Sequence, residues 1–268
     1  MNDRTTLMHQ ALAVILFLSL WEVLPRTGLV NPLFIPPLSG VLQAICDLYA
    51  SGELLLHARL SLGRALIGFG AAVAIGLPLG LVLGGWFPRI QTATEPLLEL
   101  FAQANPVILA HIIIFFLGIG EVAKTFIIGW LCLWPIVFSS ISGIRSVDVP
   151  VLKAARSLGL GRRQLFLKVV LPSAAPAICT GLRLASGYAF IMLVASEMMG
   201  GSNGIGWLIV QSQENYHVTR IFAGATVLTT LAVAADLSLK LAEKRFVVWD
   251  VALSEDYLKL APVRGEES

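Results

Sequence analysis

An all-α membrane protein with six transmembrane helices is the fold class this sequence predicts, and three observations predict it. First, only 13% of the 268 residues are charged and 56% are hydrophobic, at a mean hydropathy of +0.80. Soluble domains carry about 25% charge, so half that value points to burial in lipid. Second, the chain runs for 24 residues without a charge between Arg64 and Arg89, for 21 between Glu99 and Glu121, and for 20 between Lys124 and Arg145. A helix needs roughly 20 apolar residues to cross the hydrocarbon core. Third, the cations are unevenly placed. Arg4, Arg89, six residues between 145 and 168 and five between 240 and 268 sit on one face of that arrangement, whereas the opposite loops hold only Arg26, Lys124 and Arg220. Cytoplasmic loops are enriched in Lys and Arg, so both termini and the loop after the fourth span are assigned to the cytoplasm of a multi-pass membrane protein.

The elements follow in order. A first span covers about residues 7–25, interrupted only by Glu22; no small-x-small cleavage site follows "LWEVLP", so it reads as an uncleaved span. Residues 26–56 form an outer segment. Its "NPLFIPPLSG" is too proline-rich for a continuous helix, and apolar positions 41, 42, 45, 48 and 49 suggest a short amphipathic helix at the interface. The second span, 63–87, contains Gly76-x-x-x-Gly80, small residues that let helices approach closely in lipid. The third, 98–119, carries Asn105–Pro106, a candidate kink, followed by His111. The fourth is 123–144, and a cytoplasmic loop fills 145–172. The fifth, 174–200, contains Arg183 and Glu197, and the sixth, 221–240, contains Asp236. Between them "GGSNGIGW" reads as an outer turn or part of a gate, with Trp207 seeking the interface. The other tryptophans read as anchors or packing. A short cytoplasmic tail, 241–268, completes a single domain spanning 1–268, without linker or internal repeat.

Enzyme chemistry finds little to stand on. Cys46, Cys132 and Cys179 are odd in number, widely spaced and set among apolar neighbours, which suggests neither disulfides nor a metal site. No phosphate-binding G-x-x-x-x-G-K-[ST] and no dinucleotide fingerprint occurs. An intramembrane serine protease would draw on Ser139, Ser140, His111 and His217, but "FSSISG" is a poor nucleophile setting. An ion-coupled secondary transporter would need acids deep in the spans, and only Glu197 and Asp236, near span ends, are available.

Ionisable groups at membrane depth usually face a cavity or a partner. Arg183 fits either attraction of an anion in a pathway or a structural bond with snorkelling. Glu197, 14 residues further along, lies about 21 Å away on one helix and belongs to an outer gate or its packing. His111 is either bonded to a neighbour or a pathway ligand. Asp236 can pair with Lys240 at i+4.

The loop "DVPVLKAARSLGLGRRQLFLKVVLP" is the other exception to the apolar pattern. Asp148 and Pro150 suit a helix start, and Val151, Leu152, Ala155 and Leu158 share one face. Gly159 and Gly161 end that helix, and a second piece, "RRQLFLKVV", runs to Pro172, where the backbone ladder is expected to break. Such a pair can dock in a groove of a cytoplasmic partner, or it can serve only as a basic loop that sets topology.

The same stretch resembles the cytoplasmic motif of binding-protein-dependent ABC importer permeases: Glu-Ala-Ala, three residues, Gly, nine residues, Ile-x-Leu-Pro. Ala154, Ala155, Gly159, Val169, Leu171 and Pro172 fill those places at the same spacing. Lys153 stands where the family has Glu, reversing a charge, and Val169 replaces Ile. "HARLSLGRALIGFGAAVAIGLPLGLVLG", "FFLGIGEVAKTFII", "SEMMGGSNGIGWLI" and "LAEKRFVVW" are similar to the nitrate/taurine/alkanesulfonate branch, so the likeness covers about residues 20–249. "QANPVILAHIIIFF" departs from it, since the branch is more proline-rich there.

The resemblance implies a type I importer architecture and a non-catalytic subunit for a small anion of the sulfonate, taurine or nitrate class. It implies a second permease copy, two cytoplasmic ATP-binding subunits that carry the ATP–Mg chemistry, and an external solute-binding protein. The residues it assigns to ATPase coupling are Lys153, Ala154, Ala155, Gly159, Val169, Leu171 and Pro172. Membrane lipid is the remaining partner, and nucleic acid has no part.

Overall fold

A computed structural model describes residues 3–85 and 87–246; Trp86 and the tail beyond Phe246 lie outside the described residues. All regular structure among the described residues is helical. The chain order is α1 (Asp3–Arg26), α2 (Leu38–Ala50), α3 (Glu53–Gly85), α4 (Pro88–Ala102), α5 (Pro106–Leu117), α6 (Glu121–Arg145), α7 (Val149–Ser157), α8 (Arg162–Leu165), a π-helical turn (Phe166–Val170), α9 (Leu171–Met198), α10 (Ile205–Glu214) and α11 (Val218–Phe246). Among the described residues five segments are long and apolar enough to cross a membrane, and a sixth arises if α4 and α5 are counted as one bent span.

The core is the sandwich of α3, α6 and α9, whose shared cluster includes Ala72, Ile127, Ile128, Cys132, Ile136, Ala185, Ala189 and Leu193. Close approach is what holds it. A side chain at Gly68 would meet Ile128 at 2.8 Å, and one at Gly80 would meet Ser140 at 2.6 Å and the Val137 carbonyl at 2.9 Å. With Ala72, Gly76 and Gly84 these positions form one stripe at four-residue spacing, longer than the Gly76–Gly80 pair visible in the sequence. Where lipid tails are as apolar as leucine, backbone contact of this kind supplies the attraction.

Four expectations are corrected. The third span is not one helix over 98–119: α4 and α5 meet at 82°. Proline at 106 takes the first position of α5, and the Asn105 side chain accepts from the Val107 and Ile108 amides, so the sequence both stops one helix and starts the next. Alone, the 12 residues of α5 span about 18 Å, short of the hydrocarbon core. Phe101, at the end of α4, packs its ring on Trp134 and Trp130 of α6 and fixes the elbow.

Second, the outer amphipathic segment is divided at Ser51–Gly52, with Gly52 at φ +76, into α2 and the first turns of α3. The helix that carries the second span therefore starts at Glu53, well before residue 63. Third, Pro172 does not break the chain before the fifth span. It occupies the first turn of α9, where a missing N–H costs nothing, and the π turn before it absorbs the ring. One apolar segment then runs from Arg162 to Met198. Fourth, the outer turn after Gly200 carries an unforeseen helix, α10, whose Ile205 and Leu208 are buried.

Candidate functional site

Polar chemistry concentrates at the end of the bundle where α6 starts and α9 stops. His57, Ser61 and Arg64 follow one another at spacings of four and three on α3, so they share a face. All three are buried, as is Glu197 in the last turn of α9, at 0% exposure. Glu121 opens α6, with Lys124 one turn on.

Arg64 ties these together. Its Nη1 donates to Glu197 Oε1 at 2.6 Å and to the Asn203 carbonyl at 3.0 Å. Its Nε and Nη2 form a two-pronged pair with Glu121 at 2.5 and 2.6 Å, and Nη2 also donates to the Asn203 side-chain oxygen. The planar fork of guanidinium matches a carboxylate in this way. Lys124, only 5% exposed, adds a second cation 3.7 Å from Glu121 Oε1.

Glu197 has a second task. The Gly206 amide donates to its Oε2 at 2.8 Å, and the Ser61 hydroxyl donates to Oε1 at 2.7 Å. Ser61 in turn accepts from the Ile205 amide at 2.9 Å, and His57 Nδ1 accepts from the Gly204 amide at 3.0 Å. That nitrogen therefore carries no proton. Three successive amides at the start of α10 thus find side-chain acceptors, and a carboxylate sits at the positive end of the helix. Only glycine fits at 204: φ is +113, and any side chain would run into the Glu197 carboxyl group. The loop before α10 is fastened to α3 and α9 by this network, and among the described residues no group of three or more His, Cys, Asp or Glu side chains is placed to hold a metal ion.

The three pathway candidates named from the sequence are not brought together. Glu197 joins the network above. Arg183 lies about 21 Å down α9 and bonds Asp236 of α11 at 3.1 Å, with Glu243 at 3.6 Å. Lys240 reaches Asp236 only at 3.9 Å. His111 is exposed on α5, and its Nδ1–H donates to the Val107 carbonyl of its own helix at 2.8 Å.

At the opposite end, α7 leaves α6 through Val147 and Asp148 and ends at Gly159, φ +79, where the Leu160 amide reaches back to the Ala155 carbonyl at 3.4 Å. Lys153, Ala154 and Gly159 are exposed; Val169, Leu171 and Pro172 are half-buried. Of the apolar face expected on α7, Ala155 is buried and Leu152 packs under the bundle, but Val151 and Leu158 stand exposed, Leu158 at 82%. Phe166, in the π turn, lies against Gly85 at the end of α3, leaving no room there for a side chain. The hinge is therefore packed against α3, α6 and α9 at once.

The sequence reading named Arg64 and Glu121 only as charges bounding apolar runs, and Lys124 only as such a bound and as one of the few cations of the loops opposite the termini. The signal was available in "HARLSLGR": His, Ser and Arg at i, i+4 and i+7 form a polar stripe on a helix otherwise made for lipid.

Residues 76–248 match the family described as binding-protein-dependent transport system inner membrane component. The chain is 30% identical over 254 residues to the taurine transport system permease protein TauC of Escherichia coli (strain K12), covering 93% of this chain and 91% of that protein. It is 32% identical to the putative aliphatic sulfonates transport permease protein SsuC of the same organism, over 87% of this chain and 89% of the relative. At 25% it is similar to the bicarbonate transport system permease protein CmpB of Synechocystis, over 85% and 84%. Among solved structures, an inward-facing form of the MetNI methionine ABC transporter superposes with a TM-score of 0.58 at 19% identity, over 74% of this chain and 96% of that one. A bacterial ABC transporter that imports alginate gives 0.56 at 15%, over 91% and 96%. Both superpositions speak to the fold alone.

Proposed function

From the premise that this chain belongs to the inner-membrane permeases of binding-protein-dependent ABC importers, we propose that it forms the path for a small anion of the sulfonate, taurine or nitrate class. In this reading a solute-binding protein delivers the anion on the side of Glu197 and α10. Two ATP-binding subunits grip α7 and α8 from the cytoplasm and supply the ATP–Mg chemistry, and a second copy of the chain completes the path. Both termini then face the cytoplasm.

The observation that carries the reading is the hinge. Two short helices joined at Gly159 and Gly161 present Leu158, Val151 and a basic surface outward, while Ala155, Leu165 and Phe166 hold them to the bundle. An exposed apolar ridge on a charged helix suits a groove on a partner, and rigid packing behind it passes on whatever the partner does. The substrate class rests on relatives named for taurine, aliphatic sulfonates and bicarbonate. Lys153 in place of the family's Glu reverses the charge offered to the ATPase without altering the ridge.

Uptake of labelled taurine and ethanesulfonate into vesicles bearing the full assembly is the test, paired with crosslinking from Leu158→Cys. ATP-dependent uptake and capture of the ATPase are expected. Uptake that persists without ATP, or a Leu158 probe that never captures an ATPase in an active assembly, overturns the proposal.

A further inference from the structure

We propose that Arg64 and Lys124 form a two-cation seat for a compact oxyanion, a small organosulfonate, and that the Glu121 carboxylate is a tethered stand-in that the anion displaces. The inference rests on the proposed function for its ligand class, but on geometry for its place.

Both cations are more than nine-tenths buried, at 3% and 5% exposure, and both converge on one carboxylate that is itself 59% exposed. That contrast separates Glu121 from Glu197. The buried Glu197 is held by Ser61 and the Gly206 amide as well as by Arg64, so it has no freedom to leave. Glu121 is held by the two cations alone among its side-chain bonds, and it sits in the first turn of α6, able to swing outward. It lines a groove of about 580 Å³ between α3 and α6, with Ile67, Thr125, Gly129 and Trp130. A sulfonate presents oxygens to a guanidinium fork as a carboxylate does, and accepts from an ammonium as well.

With Glu121 displaced, Arg64 would keep Glu197, but two buried cations would share that one carboxylate and the Lys124 ammonium would lose its ion pair, at a cost of several kcal/mol, so a second anion occupies the seat at rest. A carboxylate on the same helix acts as an anion at a fixed, high effective concentration, which keeps the seat closed to weak competitors until a substrate is presented at the mouth. The apolar walls of the groove take the carbon end of the ligand.

The experiment measures binding of radiolabelled ethanesulfonate, against the neutral isostere ethanesulfonamide, to the full chain in nanodiscs of zwitterionic lipid. Glu121→Gln removes the tethered anion and keeps the side chain's shape; ethanesulfonate is expected to bind at least about tenfold more tightly than to the parent, with ethanesulfonamide unchanged. Adding Lys124→Met to that variant is expected to abolish the gain. Glu121→Asp, one methylene too short to hold both cations, is expected to give a smaller gain and carries the test if the glutamine variant fails to fold. Unchanged affinity in a folded Glu121 variant, or a gain that survives the loss of Lys124, overturns the seat. ATP-driven sulfonate uptake with no change in affinity would sink this inference and leave the proposed function standing; tighter binding without such uptake would do the reverse.

Discussion

Two arginines enter the bundle, and the fold treats them differently. Arg64 is 3% exposed and meets two carboxylates and both oxygens of Asn203, so each of its nitrogens has a partner. Arg183 is a third exposed and meets Asp236 at 3.1 Å and Glu243 only at 3.6 Å. Burial sets the stakes. An uncompensated charge in a dry interior is costly, whereas a half-exposed pair is screened and gives back little when it forms. Arg64 is accordingly a fastening that four elements depend on, and Arg183 is a brace between α9 and α11.

The most decisive way to break that contrast is to remove Arg64. In Arg64→Leu the Glu197 carboxylate is left buried with an excess of charge, and the cost is expected at about 3–5 kcal/mol, read by reversible denaturation in mixed micelles. A loss below about 1 kcal/mol would erase the distinction. Gly204→Ala sharpens it from the other side. Strain at positive φ amounts to about 1–3 kcal/mol, and the new methyl must push the Glu197 carboxyl group aside, so the Ile205 and Gly206 amides are expected to exchange with solvent at least tenfold faster. Exchange protected as in the parent would mean the loop before α10 is not anchored there. Arg183→Gln is expected to cost about 1 kcal/mol or less, and a double-mutant cycle with Asp236→Asn measures the pair directly; coupling as large as that between Arg64 and Glu197 would contradict the comparison. Smallest is Lys240→Ala, whose 3.9 Å contact with Asp236 is an i,i+4 surface pair worth about 0.3–0.5 kcal/mol, a shift in Tm close to the error of the measurement.

Five or six apolar segments were legible because hydropathy depends on composition alone, and the fourth span, expected at 123–144, lies within α6, Glu121–Arg145. The sequence also carried the helix start at Asp148 and stop at Gly159, since both are decided by local backbone chemistry. What it hid depends on contacts between distant segments. Whether Asn105–Pro106 bends a helix slightly or by 82° depends on Phe101 finding the Trp130 and Trp134 rings. Whether Pro172 ends a helix depends on the π turn before it. Arg64 and Glu197 are 133 positions apart, so no window of sequence contains both. Arg183 drew attention because it interrupts a span, yet the residue with the larger role stood at a span's edge, where a charge looks ordinary.

The elbow between α4 and α5 has a consequence for the surroundings of the protein. Helix ends leave backbone N–H and C=O groups without intrahelical partners, and here Asn105 accounts for only two of the amides. Counted back along α5 from its junction with α6, the break falls about 18 Å below that end of the bundle, well inside the thickness of a bilayer. Hydrocarbon tails offer nothing to such groups, and irregular backbone at that level survives only beside water or other protein. The corner of the chain therefore acts as a compass: it points away from the lipid, and whatever aqueous cleft or neighbouring subunit the assembled molecule possesses lies on its side.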